Sequence, residues 1–79
     1  MEKKVFDKGS TLEVRLANGP VVTVAKEELT SAYGESAGPE TLFNIARVTE
    51  DCIGYPYMTL DEREAEFWKV FKGGQPDSV

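Results

Sequence analysis

The segment from Thr59 to Lys72 constrains the fold most, because its pattern is that of an amphipathic helix with both ends marked. Thr59 and Glu62 have the spacing of a capping box, in which each side chain accepts a hydrogen bond from the other residue's amide. Two glycines at 73 and 74 predict the end of the helix. The apolar face expected from a helical projection comprises Leu60, Phe67, Phe71, Val70 and Trp68. A face this large has to be covered by the rest of the chain.

A β-hairpin is predicted over residues 11–25. Apolar and polar residues alternate on both sides of a central Asn18-Gly19-Pro20 turn. Because proline has no amide to close a two-residue turn, we expect a three-residue loop from Asn18 to Pro20. The cross-strand pairs expected from this register are Leu16 with Val22 and Val14 with Val24.

Two short elements are expected next to this hairpin. A strand is predicted at residues 3–7, and a two-turn helix at residues 26–34, where glycine ends it. The side chains expected to face inward from this helix are Leu29, Ala32 and Tyr33.

Residues 41–57 admit two interpretations. A helix gives one apolar stripe but leaves Phe43 outside it and Val48 at its margin. The stripe comprises Leu42, Ile45, Ala46, Thr49 and Ile53. The β-branched content instead favours a helical turn over 39–44 and a second hairpin over 45–56. With two hairpins, or one hairpin plus a bent strand, the chain is expected to be one α+β domain, residues 1–79. Its small, mainly antiparallel sheet is covered on one face by the 59–72 helix.

Charge is distributed unevenly along the 79 residues. Residues 1–26 carry five bases and three acids, net +2, whereas residues 27–79 carry four bases and eleven acids, net −7, which together give −5. Nucleic-acid binding depends on a basic surface, so direct binding is disfavoured and a basic protein partner is expected. The alternative is that the acidity only keeps the chain in solution.

Residues that carry catalytic chemistry are scarce. The chain has no histidine, and its one cysteine, Cys52, lies among apolar and acidic residues that raise a thiol pKa. No glycine-rich phosphate loop or calcium loop is present. We therefore expect no enzyme activity, no cofactor and no metal site. Without an apolar run long enough for a membrane span or a signal peptide, a cytoplasmic location without membrane association is expected.

The candidate partner-binding residues are an exposed tyrosine and the acids around it. They are Glu50, Asp51, Tyr57, Asp61, Glu62, Glu64 and Glu66. Tyr57 is the candidate anchor, because a rigid aromatic beside proline suits an interface. Glu64 projects toward the apolar side of its helix, so it either pairs with Arg15 or Arg47 at the core edge or belongs to a contact surface.

The order of short motifs over residues 11–73 resembles the bacterial domain of unknown function family 2442. The motifs are Leu16-Ala-Asn-Gly19, Val22-Thr-Val24, Gly38-Pro-Glu40, Asn44, Ile53-Gly-Tyr-Pro56, Leu60-Asp-Glu62 and Gly73. Tyr55 stands where the family usually has a tryptophan that looks buried, so the resemblance implies that Tyr57 is more exposed than Tyr55. The resemblance implies a small α+β fold without agreed catalytic residues, and an antitoxin-like role, because some members look like partners of small toxin-like proteins.

These patterns together predict a non-enzymatic inhibitor or neutraliser of a basic, nucleic-acid-binding protein. It is either antitoxin-like or a phage or mobile-element inhibitor such as an anti-CRISPR. The alternative is an accessory subunit of a cellular enzyme complex, or a small transcriptional regulator that uses Lys3, Lys4, Lys8, Arg15 and Lys26. The chain is expected to be a monomer or a homodimer, since a small sheet exposes a strand edge.

Overall fold

The computed structural model describes residues 4–17 and 19–73. Its elements, in chain order, are β1 (Val5–Asp7), β2 (Thr11–Arg15), β3 (Val21–Ala25), α1 (Lys26–Tyr33), α2 (Pro39–Glu50), a 3-10 turn (Tyr55–Tyr57) and α3 (Leu60–Gly73). The strands form one antiparallel sheet in the order β1-β2-β3. The predicted α+β class, the hairpin and the C-terminal helix on the sheet are therefore confirmed. None of the helices in these ranges is long and apolar enough to span a membrane.

The register of the hairpin differs from the predicted one by two residues. Val14 pairs with Val22, not Val24, and the Leu16 amide donates to the Pro20 carbonyl over 3.0 Å. Because Pro20 accepts here and need not donate, it pairs with Leu16 and does not belong to the loop, while Asn18 of the predicted loop lies outside the described residues. A shift of two keeps every side chain on its face of the sheet, so the predicted apolar residues are still buried.

The predicted second hairpin over residues 45–56 is wrong, because α2 continues as a helix to Glu50. Its buried side chains are Leu42, Ile45, Ala46 and Thr49. This stripe packs against β1, β2 and α3, and the Thr49 hydroxyl donates to the Ile45 carbonyl over 2.8 Å, so its polar group is satisfied in the core. Phe43, which lies outside the stripe, is partly exposed. Ile53, which was expected to belong to the stripe, lies beyond the end of α2. Burial of the stripe therefore outweighs strand propensity.

Helix α1 ends at Tyr33, as the following Gly34 predicts, and Gly34 has a φ of 98° that suits glycine. Leu29 is buried and Tyr33 is half-buried, as expected. Ala32 is exposed, so its predicted inward position is wrong. The Tyr33 hydroxyl donates to the Phe71 carbonyl over 2.7 Å, which ties α1 to the last turn of α3.

The apolar face of α3 is rotated from the predicted one. Phe67 and Phe71 enter the core with the sheet residues, but Leu60 is 56% exposed and Arg63 is buried instead. The predicted capping box is present: the Thr59 amide donates to Glu62 Oε1 over 2.8 Å, and the Glu62 amide donates to Thr59 Oγ1 over 3.2 Å. The cap fixes where α3 begins, immediately after the connection from α2.

Candidate protein-binding surface

The connection between α2 and α3 is a series of hydrogen-bonded turns. The Tyr55 amide donates to the Cys52 carbonyl over 3.0 Å, and the Tyr57 amide donates to the Gly54 carbonyl over 2.9 Å. Gly54 adopts a left-handed φ of 88°, which glycine accommodates without strain. Internal hydrogen bonds of this kind hold the backbone around Tyr57 in one conformation.

Arg63 fastens this connection to the hairpin. It is 9% exposed, and its Nη1 donates to the Ala17 carbonyl over 3.3 Å while its Nη2 donates to the Pro56 carbonyl over 3.2 Å. Its guanidinium also lies over the Tyr55 ring, 5.0 Å from the centroid. A planar guanidinium can satisfy two separate carbonyls and stack on an aromatic ring at the same time. One buried side chain therefore links the hairpin turn, the 3-10 turn and α3.

Tyr55 and Glu50 support the same contact. The Tyr55 hydroxyl donates to the Ala17 carbonyl over 3.4 Å, and the Ala17 amide donates to Glu50 Oε2 over 2.9 Å. Glu50 also forms an ion pair with Lys4. Burial raises the pKa of the Tyr55 hydroxyl, and the nearby Glu50 carboxylate raises it further, so this hydroxyl stays a donor at neutral pH.

Large apolar side chains project outward from this anchored segment. Tyr57 is 92% exposed, Ile53 is fully exposed, and Leu60 is more than half exposed. The expected contrast with Tyr55, which is 4% exposed, is confirmed. Leu60 also borders the hairpin turn, because a Cβ added at Gly19 would lie 3.2 Å from Leu60 Cδ2. Single exposed apolar residues are common, but three on one short segment mark a candidate contact surface.

We define the Tyr57 surface as the exposed large apolar and acidic side chains between residues 51 and 64 that form no hydrogen bond within the described fold. Its members are Asp51, Ile53, Tyr57, Leu60, Asp61 and Glu64. Leu60 and Glu64 are one helical turn apart on α3, with Asp61 beside them. The surface therefore combines apolar anchors with carboxylates.

The sequence-predicted acids divide between this surface and structural contacts. Asp51, Asp61 and Glu64 are exposed on the Tyr57 surface. Glu64 forms no ion pair with Arg15 or Arg47 among the described residues, where Arg15 instead contacts Glu13 over 3.4 Å. The ion-pair interpretation of Glu64 is therefore wrong, and its place on a contact surface stays a prediction.

The other three predicted acids are engaged within the fold. Glu50 holds the Ala17 amide and Lys4, and Glu62 caps α3. Glu66 is half-buried and accepts from the Cys52 thiol over 3.3 Å. Their predicted part in partner binding stays a prediction, and their charges add to the electric field of the segment.

The Cys52 thiol is held in its neutral form. Burial raises its pKa, and the hydrogen bond to Glu66 raises it further, so the nucleophilic thiolate is disfavoured. Within the described ranges no three carboxylate, cysteine or histidine side chains are grouped to hold a metal ion.

The electrostatics of the segment are more one-sided than its sequence suggests. From Glu50 to Glu66 the chain has six acids and one base, Arg63. Since Arg63 is buried and bonded to backbone carbonyls, it offers no cation at the surface. The Tyr57 surface therefore presents carboxylates without an exposed base of its own segment, which favours a positively charged ligand.

Sequence reasoning missed Arg63, although one signal was available. Arg63, Phe67 and Phe71 are spaced by four residues, so they share one face of the helix.

An apolar depression between α1 and the end of α3 was also not predicted from the sequence. Glu28, Trp68, Phe71 and Lys72 line it. It is shallow and has both an acid and a base at its rim.

Comparison of the chain with protein-family models, with curated proteins and with solved structures gives no match. The resemblance to the domain of unknown function family 2442 stays a prediction. The function therefore has to be argued from the surface and its charges.

Proposed function

We propose that this chain is a non-enzymatic acidic binding protein of the bacterial cytoplasm, which covers a basic surface of a partner protein. The observation that carries this proposal is the position of Tyr57. Its side chain is 92% exposed, yet its backbone is held by turn hydrogen bonds and its neighbour Pro56 is bonded to buried Arg63. An aromatic side chain presented on a rigid backbone loses little entropy on binding, which is typical of interface anchors.

The carboxylates of the Tyr57 surface define the chemistry of the partner. Asp51, Asp61 and Glu64 are exposed, so lysine and arginine side chains are their natural ligands. Proteins that bind nucleic acids display such bases for contacts with phosphates. Occupying that surface blocks the nucleic acid, so we infer an inhibitory or neutralising role. It is antitoxin-like, as the family resemblance implies, or that of a phage or mobile-element inhibitor such as an anti-CRISPR.

The basic residues of the N-terminal part support a protein partner over direct binding to DNA. Lys4 pairs with Glu50, and Lys26 pairs with Asp7 over 3.0 Å. Arg15 contacts Glu13 and lies over the Phe6 ring, 4.6 Å from its centroid. Each of these bases has an acidic neighbour, which lowers the positive potential that a transcriptional regulator needs.

A second candidate function rests on the depression between α1 and α3. Trp68 and Phe71 form an apolar floor there. An accessory subunit of an enzyme complex would use such a surface for a largely apolar, salt-insensitive contact. The two candidates thus differ in the surface used and in the response to salt.

Affinity capture with three baits separates these candidates. The baits are the wild type, Tyr57→Ala and Trp68→Ala, each incubated with nuclease-treated lysate and washed at low and at high salt. We expect the wild type and Trp68→Ala to retain the same basic protein at low salt, and Tyr57→Ala to lose it. High salt should release it, because screening shortens the reach of the charges to about 3 Å at 1 M. Salt-resistant capture that depends on Trp68 favours the accessory subunit and refutes the proposal.

A further inference from the structure

The strand β3 forms one edge of the sheet, and its sequence lacks the usual protection. In the strand order β1-β2-β3, no strand of the described chain pairs with the outer side of β3. The strand has five residues, Val-Val-Thr-Val-Ala, without a charge or a proline. By contrast, β1 at the opposite edge has three residues and ends at Asp7. Natural proteins blunt an edge with short length, charge or proline, so β1 is protected and β3 is not.

The hydrogen-bond pattern shows which groups of β3 face outward. The Leu16 amide donates to the Pro20 carbonyl over 3.0 Å, and the Lys26 amide donates to the Ser10 carbonyl over 3.1 Å. In an antiparallel ladder the bonded residues alternate, so Val22 and Val24 bond to β2. The alternate residues of β3 are Val21, Thr23 and Ala25, so their amides, and the carbonyls of Val21 and Thr23, point away from β2. Their side chains are exposed as well.

Charge identifies the strand that fits this edge. The chain has a net charge of −5, so two copies repel each other through most of their surfaces. Residues 16–25 carry no charged side chain, and β3 lies within them. Pairing along β3 therefore brings two copies together where no carboxylates oppose each other.

We propose that β3 is a self-association surface, on which a second copy of this chain adds its own β3 antiparallel across a two-fold axis. The pattern of outward-facing groups centres the pairing on Thr23, which then lies opposite its equivalent, with Val21 opposite Ala25. Threonine pairs and β-branched side chains favour such cross-strand contacts. The nearest acid along the chain, Glu27, falls opposite the uncharged Gly19 of the other copy. The two sheets become one of six strands.

The association is weak, because a single pair of five-residue strands buries less than about 1,200 Å², the lower limit for a standard stable interface. It is independent of the Tyr57 surface, which lies on the α2–α3 connection and α3. The inference therefore stands or falls apart from the proposed function. It also allows one dimer to present two Tyr57 surfaces.

Sedimentation equilibrium of the full chain from about 10 µM to about 1 mM tests the proposal. This range is high because small interfaces form weak complexes. We expect the wild type to shift from monomer to dimer as its concentration rises, and Thr23→Val to behave in the same way. Thr23→Pro should remain monomeric, because proline removes the outward-facing amide of residue 23. Circular dichroism checks that Thr23→Pro is folded. Thr23→Glu keeps the backbone but places two carboxylates opposite each other. Because the two like charges lie opposite each other, the dimer dissociation constant of Thr23→Glu should rise about fivefold. It should return to the wild-type value in high salt.

A wild type that stays monomeric at every concentration overturns the proposal. So does a Thr23→Glu variant that dimerises as tightly as the wild type at low salt.

Discussion

Replacing Arg63 by alanine should destabilise the fold strongly, although arginine is normally a surface residue. The guanidinium donates to the carbonyls of Ala17 and Pro56 and lies over Tyr55. Hydrogen bonds from charged groups contribute about 1.5 kcal/mol each at the low end, which suits these long bonds, and stacking adds about 0.5 kcal/mol. The expected loss is about 3.5 kcal/mol. A chain of 79 residues has a stability of about 4 to 12 kcal/mol, so this is a large fraction of the total.

Urea unfolding followed by tryptophan fluorescence measures this loss, because Trp68 is half-buried against the core. With a slope of about 1 kcal/mol per M, the midpoint for Arg63→Ala should fall by about 3.5 M. Arg47→Ala is the matched control, since Arg47 is exposed on α2 and its loss should change stability by about 0.5 kcal/mol at most. Arg63→Lys keeps the charge but cannot reach both carbonyls, so it should fall between the two. Equal midpoints for Arg63→Ala and Arg47→Ala would refute the anchoring role of Arg63.

Three further predictions concern single side chains. Tyr57→Ala should leave stability within about 0.5 kcal/mol of wild type, whereas Tyr55→Ala should cost at least about 3 kcal/mol because Tyr55 is buried; equal losses in urea unfolding would contradict this. Hydrogen bonds from Thr59 hold the pKa of the Glu62 carboxyl below its ordinary value of 4.5. The cap therefore stabilises α3 above pH 4.5, and this stabilisation is lost as the pH falls through the lowered pKa. In thermal melts, Glu62→Gln should lack this pH dependence. Burial raises the pKa of the Cys52 thiol, so its alkylation rate should reach half-maximum at a higher pH in the folded chain than in urea, and identical profiles would contradict the buried hydrogen bond to Glu66.

Elements with local signals were predictable from the sequence. The Thr59–Glu62 capping box, the glycine after α1 and the alternation over residues 11–25 each act within a few residues, and each is present in the structure. The second hairpin was wrong for a physical reason. Strand propensity at residues 45–49 is a local quantity, whereas the choice of helix depends on packing the stripe of α2 against two strands and α3.

The candidate site shows the same division. The exposure of Tyr57 beside a buried Tyr55 was expected from the family resemblance, in which Tyr55 takes the position of a buried-looking aromatic. The anchor did not, because Arg63 contacts Ala17, which is 46 residues away along the chain. The spacing of Arg63 with Phe67 and Phe71 indicates a shared helix face, but contacts to backbone carbonyls leave no residue pattern that identifies the acceptors. For the same reason, the sequence did not separate the acids engaged in the fold, such as Glu50, from exposed acids such as Asp61.

Site-specific photo-crosslinking tests the central claim most directly. A benzophenone amino acid replaces Tyr57 in one version of the chain and Glu35, an exposed residue between α1 and α2, in a control version. Each is irradiated in lysate of the cells that encode the chain or serve as its host. The proposed function predicts one discrete adduct from position 57 with a basic, nucleic-acid-binding protein, weakened by high salt and absent from position 35. The same adducts from both positions, or an adduct from position 57 with an acidic protein, would contradict it.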